Sequence, residues 1–123
     1  MKQGKRRIIP WFYGTLFLIL FSGGAYAHAF PVRSSPEVGS TLATAPRSVT
    51  IWYDSDLNAL FTKMTIKNGA GQVVSESSHV SAHDRRKLTA LLQPIGPGRY
   101  TVYWSAVASD GHHTEGHWPF TVQ

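Results

Sequence analysis

An all-β fold, either a β-sandwich or a Greek-key barrel, is predicted by three features of the sequence. About seven short segments show strand-like alternation. Breaks rich in glycine, proline and small polar residues separate them, as at 68–71 and 94–98. Beyond the N-terminal segment, only Asp56 to Phe61 has the makings of a helical turn.

The chain opens with a segment that belongs to export rather than to the fold. Lys2, Lys5, Arg6 and Arg7 precede an apolar run of 14 residues, Ile8 to Phe21, and then Ser22, Gly23, Gly24 and Ala25-Tyr26-Ala27. This charged, apolar, small-residue order is that of a secretory signal. The run is shorter than the roughly 20 residues that cross a bilayer, and Pro10 and Gly14 interrupt it. The expected processing is therefore cleavage after Ala27, with contact to a membrane only through the leader. Residues 28–123 then form one small domain.

Cleavage alters the charge balance. Of 12 Lys and Arg, four lie in the leader, whereas none of the 7 Asp and Glu does; the remainder is eight against seven. A net charge near +1 gives no basis for nucleic-acid binding. There is no cysteine, so a disulfide framework is excluded and the domain must be held by its core.

The strands are taken in order. Ser48–Tyr53 places Val49, Ile51 and Tyr53 on one face. Phe61–Lys67 places Met64 and Ile66 opposite Phe61, Lys63, Thr65 and Lys67. Asn68-Gly69-Ala70-Gly71 is a turn, and Gln72–Ser75 is expected to return as the second arm of a hairpin. Ser75–Lys87 is polar and is expected to be a mobile loop. Lys87–Leu92 is a strand, ended by Pro94, Gly96, Pro97 and Gly98. Arg99–Ala108 sets Tyr100, Val102, Trp104 and Ala106 on one face and Thr101, Tyr103 and Ser105 on the other. Glu115–Val122 has Trp118, Phe120 and Val122 in phase. Trp52, Tyr53, Tyr103, Trp104 and Trp118 are expected in or at the edge of the core.

Two features carry chemistry. Cleavage would give His28 a free α-amine beside its imidazole, and both can bind one metal in a chelate ring. Between the last two strands lies Ser109-Asp110-Gly111-His112-His113-Thr114. In an extended segment Asp110 and His112 project to the same side. Three nitrogens and one carboxylate oxygen favour Cu(II), less often Ni(II), over Zn(II). The same residues also allow a plainer account, an arbitrary first residue and an Asp-Gly turn.

The segment from His28 onward resembles the CopC family of periplasmic copper-resistance proteins nearly end to end. The resemblance rests on His28-Ala29, Ser34-Ser35-Pro36-Glu37-Val38-Gly39-Ser40 and Pro46. It continues through Gly98-Arg99-Tyr100-Thr101-Val102-Tyr103-Trp104, Ser109-Asp110-Gly111-His112, Gly116 and Phe120-Thr121-Val122. It implies a cupredoxin-like Greek-key barrel, immunoglobulin-like in topology, located in the periplasm. It also implies one Cu(II) per chain, held by His28 through amine and ring together with Asp110 and His112. Asp54 falls where the family has an acidic residue near the copper, as an outer residue or weak ligand. A non-catalytic protein that buffers or delivers copper is implied, monomeric, with an inner-membrane copper transporter as the partner.

The chain departs from the family in two ways. Some members carry a methionine-rich Cu(I) site; here Met64 is the only methionine after the leader, so no such site is expected. Where proline often follows the Asp-Gly-His motif, this chain has His113. That residue is a possible competitor for the metal, but its side chain is expected to point away from that of His112, at the rim. His79 and His83 have the i, i+4 spacing of a helical zinc pair, although serines around them disfavour a helix. His117 is expected on the face opposite Trp118.

Other functions remain. A copper monooxygenase also uses an N-terminal histidine, but 96 residues leave little room for a substrate surface. A blue-copper protein needs a cysteine thiolate. A serine hydrolase would show Gly-x-Ser-x-Gly. A metal-free exported β-sandwich interaction module remains the structural alternative.

Overall fold

The computed structural model describes Gly4 and residues 28–123. The expected signal segment over residues 1–27 thus lies, Gly4 apart, outside the described residues. Eight strands follow: β1 Pro31–Ser35, β2 Thr41–Leu42, β3 Ser48–Tyr53, β4 Lys63–Lys67, β5 His79–Val80, β6 Lys87–Leu91, β7 Gly98–Val107 and β8 His113–Val122. They form two sheets, β1-β3-β6-β5 and β2-β8-β7-β4. All pairs are antiparallel except β2 with β8. This is the Greek-key β-sandwich of the cupredoxin-like kind that the sequence predicts.

The alternation explains the layers. Val49, Ile51 and Tyr53 of β3 and Leu88 and Ala90 of β6 are buried against Met64 and Ile66 of β4, Tyr100, Val102 and Ala106 of β7, and Trp118, Phe120 and Val122 of β8. Each large side chain removed from water contributes about 1.5–3 kcal/mol. The Tyr100 ring stacks on Phe120 at 5.4 Å, and its hydroxyl donates to the Gly96 carbonyl at 2.7 Å, so the ring is buried without stranding its polar end. Gly116 stands mid-strand for a steric reason: a Cβ there would come within 2.8 Å of the Trp104 ring.

The Tyr53 hydroxyl is buried with no hydrogen-bond partner. Burial pushes its phenol above the ordinary tyrosine range. A folded phenol that resists ionisation stabilises the fold fully below about pH 10, where an unfolded tyrosine ionises. That contribution is lost as pH rises further, because the unfolded chain then releases a proton that the folded chain keeps. Tyr53→Phe is expected to leave neutral stability within about 1 kcal/mol of the parent, or to raise it. It should also reduce the fall in melting temperature between pH 9 and 11, measured by circular dichroism.

Several expectations are corrected. β1 and β2 were not foreseen. Gln72–Ser75 returns against β4 only briefly: Val73 bridges Lys67 and the Val74 N–H donates to the Ile66 carbonyl, but Ser75 bridges Leu92, so the arm crosses to the other sheet instead of continuing as a strand. The expected mobile loop after it carries β5 and covers the open edge of β4. The Met64 N–H donates to the Ser78 hydroxyl and the Ile66 N–H to the Ser75 hydroxyl, each at 2.9 Å. The turn expected over Asp56–Phe61 is present as a single turn at Asn58–Thr62, closed by the Thr62 N–H to the Asn58 carbonyl, but Phe61 lies in that turn instead of in β4. Tyr103 is exposed on the outer face, out of phase with its buried neighbours, and half-buried Trp52 also faces outward, under the Arg33 guanidinium at 3.9 Å.

Candidate metal centre

β3 and β7 end, and β1, β4, β6 and β8 begin, at the same end of the sandwich. Three segments meet there: His28–Phe30, the loop after Tyr53, and the β7–β8 connection.

The β7–β8 connection is a tight reversal. The Gly111 N–H donates to the Ala108 carbonyl at 2.8 Å, and the Ala108 N–H to the His112 carbonyl at 2.9 Å. Gly111 has a φ of 92°, which disfavours any residue with a Cβ. The Asp-Gly pair therefore does make a turn, and the turn is what presents its neighbours. One Asp110 oxygen accepts the His112 N–H at 3.1 Å; the other lies 3.0 Å from His112 Nδ1. The turn is braced from the side by the Ser109 N–H to the Asp56 carbonyl and the Leu57–Ala108 bridge, with Leu57 fully buried.

The His28 ring packs edge-on against the His112 ring at 4.9 Å and lies tilted to the Phe30 ring at 5.7 Å. Its position follows from the backbone. Ala29 is fully buried, and the Thr114 hydroxyl donates to its carbonyl at 2.6 Å. The Ser55 hydroxyl donates to the His28 carbonyl at 3.1 Å. Asp54 accepts the Phe30 N–H at 2.9 Å, while its own N–H donates to the Phe30 carbonyl at 3.0 Å.

The expected residues thus separate. His28, Asp110 and His112 are brought together. Asp54 lies beside them with its carboxylate engaged by the N-terminal backbone. His113 turns to the outer face, with Nε2 2.8 Å from the Ser105 hydroxyl and 3.9 Å from Glu115. His117 is also outward, stacked on Tyr103 at 5.7 Å. His79 lies in β5, so its spacing to His83 is not helical. Met64 is buried in the core. Ser55 and Thr114 were missed, since a hydroxyl that donates to a backbone carbonyl leaves no trace in hydrophobic pattern or motif. An open groove of about 640 Å³ lies elsewhere, on the outer face of β4, β7 and β8, between Lys63, Tyr103, Glu115 and His117.

One pair of these groups stands at a spacing that a metal ion would accept. Nitrogen and oxygen ligands at the roughly 2.0–2.2 Å known for zinc stand about 2.8–3.1 Å apart when they meet at a right angle. The 3.0 Å between His112 Nδ1 and the Asp110 carboxylate falls in that span. Among the described residues, no three His, Asp or Glu side chains already close around one point.

Fold and site together define a class: a small, cysteine-free β-sandwich with imidazole and carboxylate donors gathered at one end. The comparisons make it specific. The CopC domain model matches residues 31–123, and the chain belongs to the CopC family of copper-binding resistance proteins. The match takes in Asp54, Asp110 and His112 and begins after His28. The crystal structure of CopC from Methylosinus trichosporium OB3b superposes with a TM-score of 0.74 at 29% identity, over 78% of this chain and 94% of that one. PcoC, a methionine-rich copper resistance protein from Escherichia coli, gives 0.65 at 27% identity, over 79% of this chain and all of that one. The copper transport protein CutJ of Bacillus subtilis (strain 168) is 30% identical over 114 residues, which is 91% of this chain. This chain spans only 21% of CutJ's length.

Proposed function

We propose that the chain is exported, cut after Ala27, and binds one Cu(II) ion in the periplasm, which it buffers or delivers. The single observation behind this reading is the His28 ring against His112, whose Nδ1 stands 3.0 Å from Asp110. Before cleavage the nitrogen of His28 is a peptide nitrogen and a poor donor. Cleavage turns it into an amine, adjacent to an imidazole already held beside the other donors. Copper is the cargo, with no reaction performed on it. Asp110 as a ligand would occupy a position that an oxygen-activating centre keeps open. A copper transporter of the inner membrane is the partner that fits delivery, in keeping with the name of the relative CutJ.

Electron paramagnetic resonance of the protein beginning at His28, loaded with one equivalent of Cu(II), tests the ligand set. The expected spectrum is tetragonal, with hyperfine structure from three nitrogens. Binding at less than one equivalent, or coupling to a single nitrogen, would refute it.

A further inference from the structure

We infer that Thr114 is a positioning residue for the metal centre, a latch that fixes the distance between its two histidines. The inference rests on the copper reading above and concerns a residue outside the ligand set.

Residues 28–30 precede β1 and have no regular strand partner. β1 itself starts with Pro31, which has no N–H for a ladder. A free chain end of this kind frays unless tied down. One backbone bond holds it, from the Asp54 N–H to the Phe30 carbonyl, and three side chains complete the tie: Ser55 on the His28 carbonyl, Asp54 on the Phe30 N–H, and Thr114 on the Ala29 carbonyl. Ser55 and Asp54 follow β3, in the sheet that the N-terminal segment enters. Thr114 is in β8, in the other sheet, so its hydrogen bond spans the mouth of the sandwich. It is the shortest of the three, at 2.6 Å.

Thr114 also stands two residues after His112, at the start of the strand that the Asp110–His112 turn feeds. One short stretch therefore carries a donor and the latch for the segment that bears the other donor. Because Ala29 is fully buried, the His28 backbone cannot slide without breaking this bond or exposing Ala29. The 4.9 Å between the two rings depends on it. β-Branching suits threonine to the strand, while the hydroxyl serves the site.

The test uses protein beginning at His28. Thr114→Val keeps shape and β-branching and removes the donor. Cu(II) affinity by competition titration is expected to fall about 10–100-fold, the range typical of lost outer-shell partners. The resonance spectrum should broaden as the ligand geometry spreads, and Thr114→Ser should restore both. Parental affinity and spectrum in Thr114→Val would overturn the inference. If Thr114→Val does not fold, Thr114→Ala carries the test: weaker binding with a broadened spectrum supports the latch, and parental binding refutes it. A chain with one residue added ahead of His28 separates the two failures. If that addition weakens binding but Thr114→Val does not, the latch is wrong and the ligand set stands.

Discussion

Protein with a single glycine ahead of His28 is expected to bind Cu(II) more than 100-fold more weakly than protein that begins at His28. The loss should exceed the roughly 10–100-fold caused by removing an outer-shell partner, because a donor atom is lost. The added residue changes no side chain. It converts an amine with a pKa near 7.7–8.0 into a peptide nitrogen whose lone pair is delocalised, and it opens the chelate ring on His28. The pH dependence should change as well. Binding to the authentic end must displace an amine proton at neutral pH, so affinity falls as pH drops from 8 to 6. The extended protein has no amine proton to displace at that position, and its affinity should fall less steeply. Competition titrations at pH 6, 7 and 8 measure both effects. Equal affinity for the two proteins would remove the amine from the ligand set.

Phe120→Ala should cost about 3–5 kcal/mol of folding stability. The side chain is 1% exposed, in the C-terminal half of β8, stacked on Tyr100 and tilted against Trp118 at 6.3 Å. A small domain typically has about 5–15 kcal/mol to lose, and this one has no cysteine with which to staple its sheets. Urea denaturation should show a midpoint shifted far toward zero. A ligand that binds only the folded state adds stability as its concentration exceeds the dissociation constant. Saturating Cu(II) should therefore raise the midpoint of Phe120→Ala, and should do so less when Asp110 is also changed to Ala.

The fold was most legible where long strands meet one face of the core. Val102, Ala106, Trp118 and Phe120 alternate cleanly because β7 and β8 have buried and exposed sides along their length. β1 is opaque for the opposite reason: Pro31, Arg33, Ser34 and Ser35 carry little apolar signal, since its burial is partial. β2 has two residues and is defined by Thr41 and Leu42 pairing in parallel with Thr121 and Val122, a contact no local pattern encodes. The polar composition of Ser75–Ser78 concealed an edge covering made by hydroxyls. Tyr103 shows phase overriding residue type, since a tyrosine between Val102 and Trp104 must face outward. At the site, the motif was legible, but the Asp110–His112 contact is made by a turn at Gly111 and not by the extended segment expected. The approach of His28 to His112 joins residues 84 positions apart in the sequence; donor chemistry suggested the grouping and the family resemblance strengthened it, but no local pattern encodes the contact.

The direction of β8 has a practical consequence. It starts at His113, with Thr114 beside the N-terminal segment, and runs away for ten residues to Val122, after which the Gln123 N–H donates to the Leu42 carbonyl. At about 3.3 Å per residue, Gln123 stands roughly 30 Å from the donor residues. An affinity handle or a surface linker attached after Gln123 would leave the donor end facing solution. One attached ahead of His28 would block it. Immobilised by its last residue, this protein would present an open, oriented face to dissolved metal, as an electrode coating or capture resin requires.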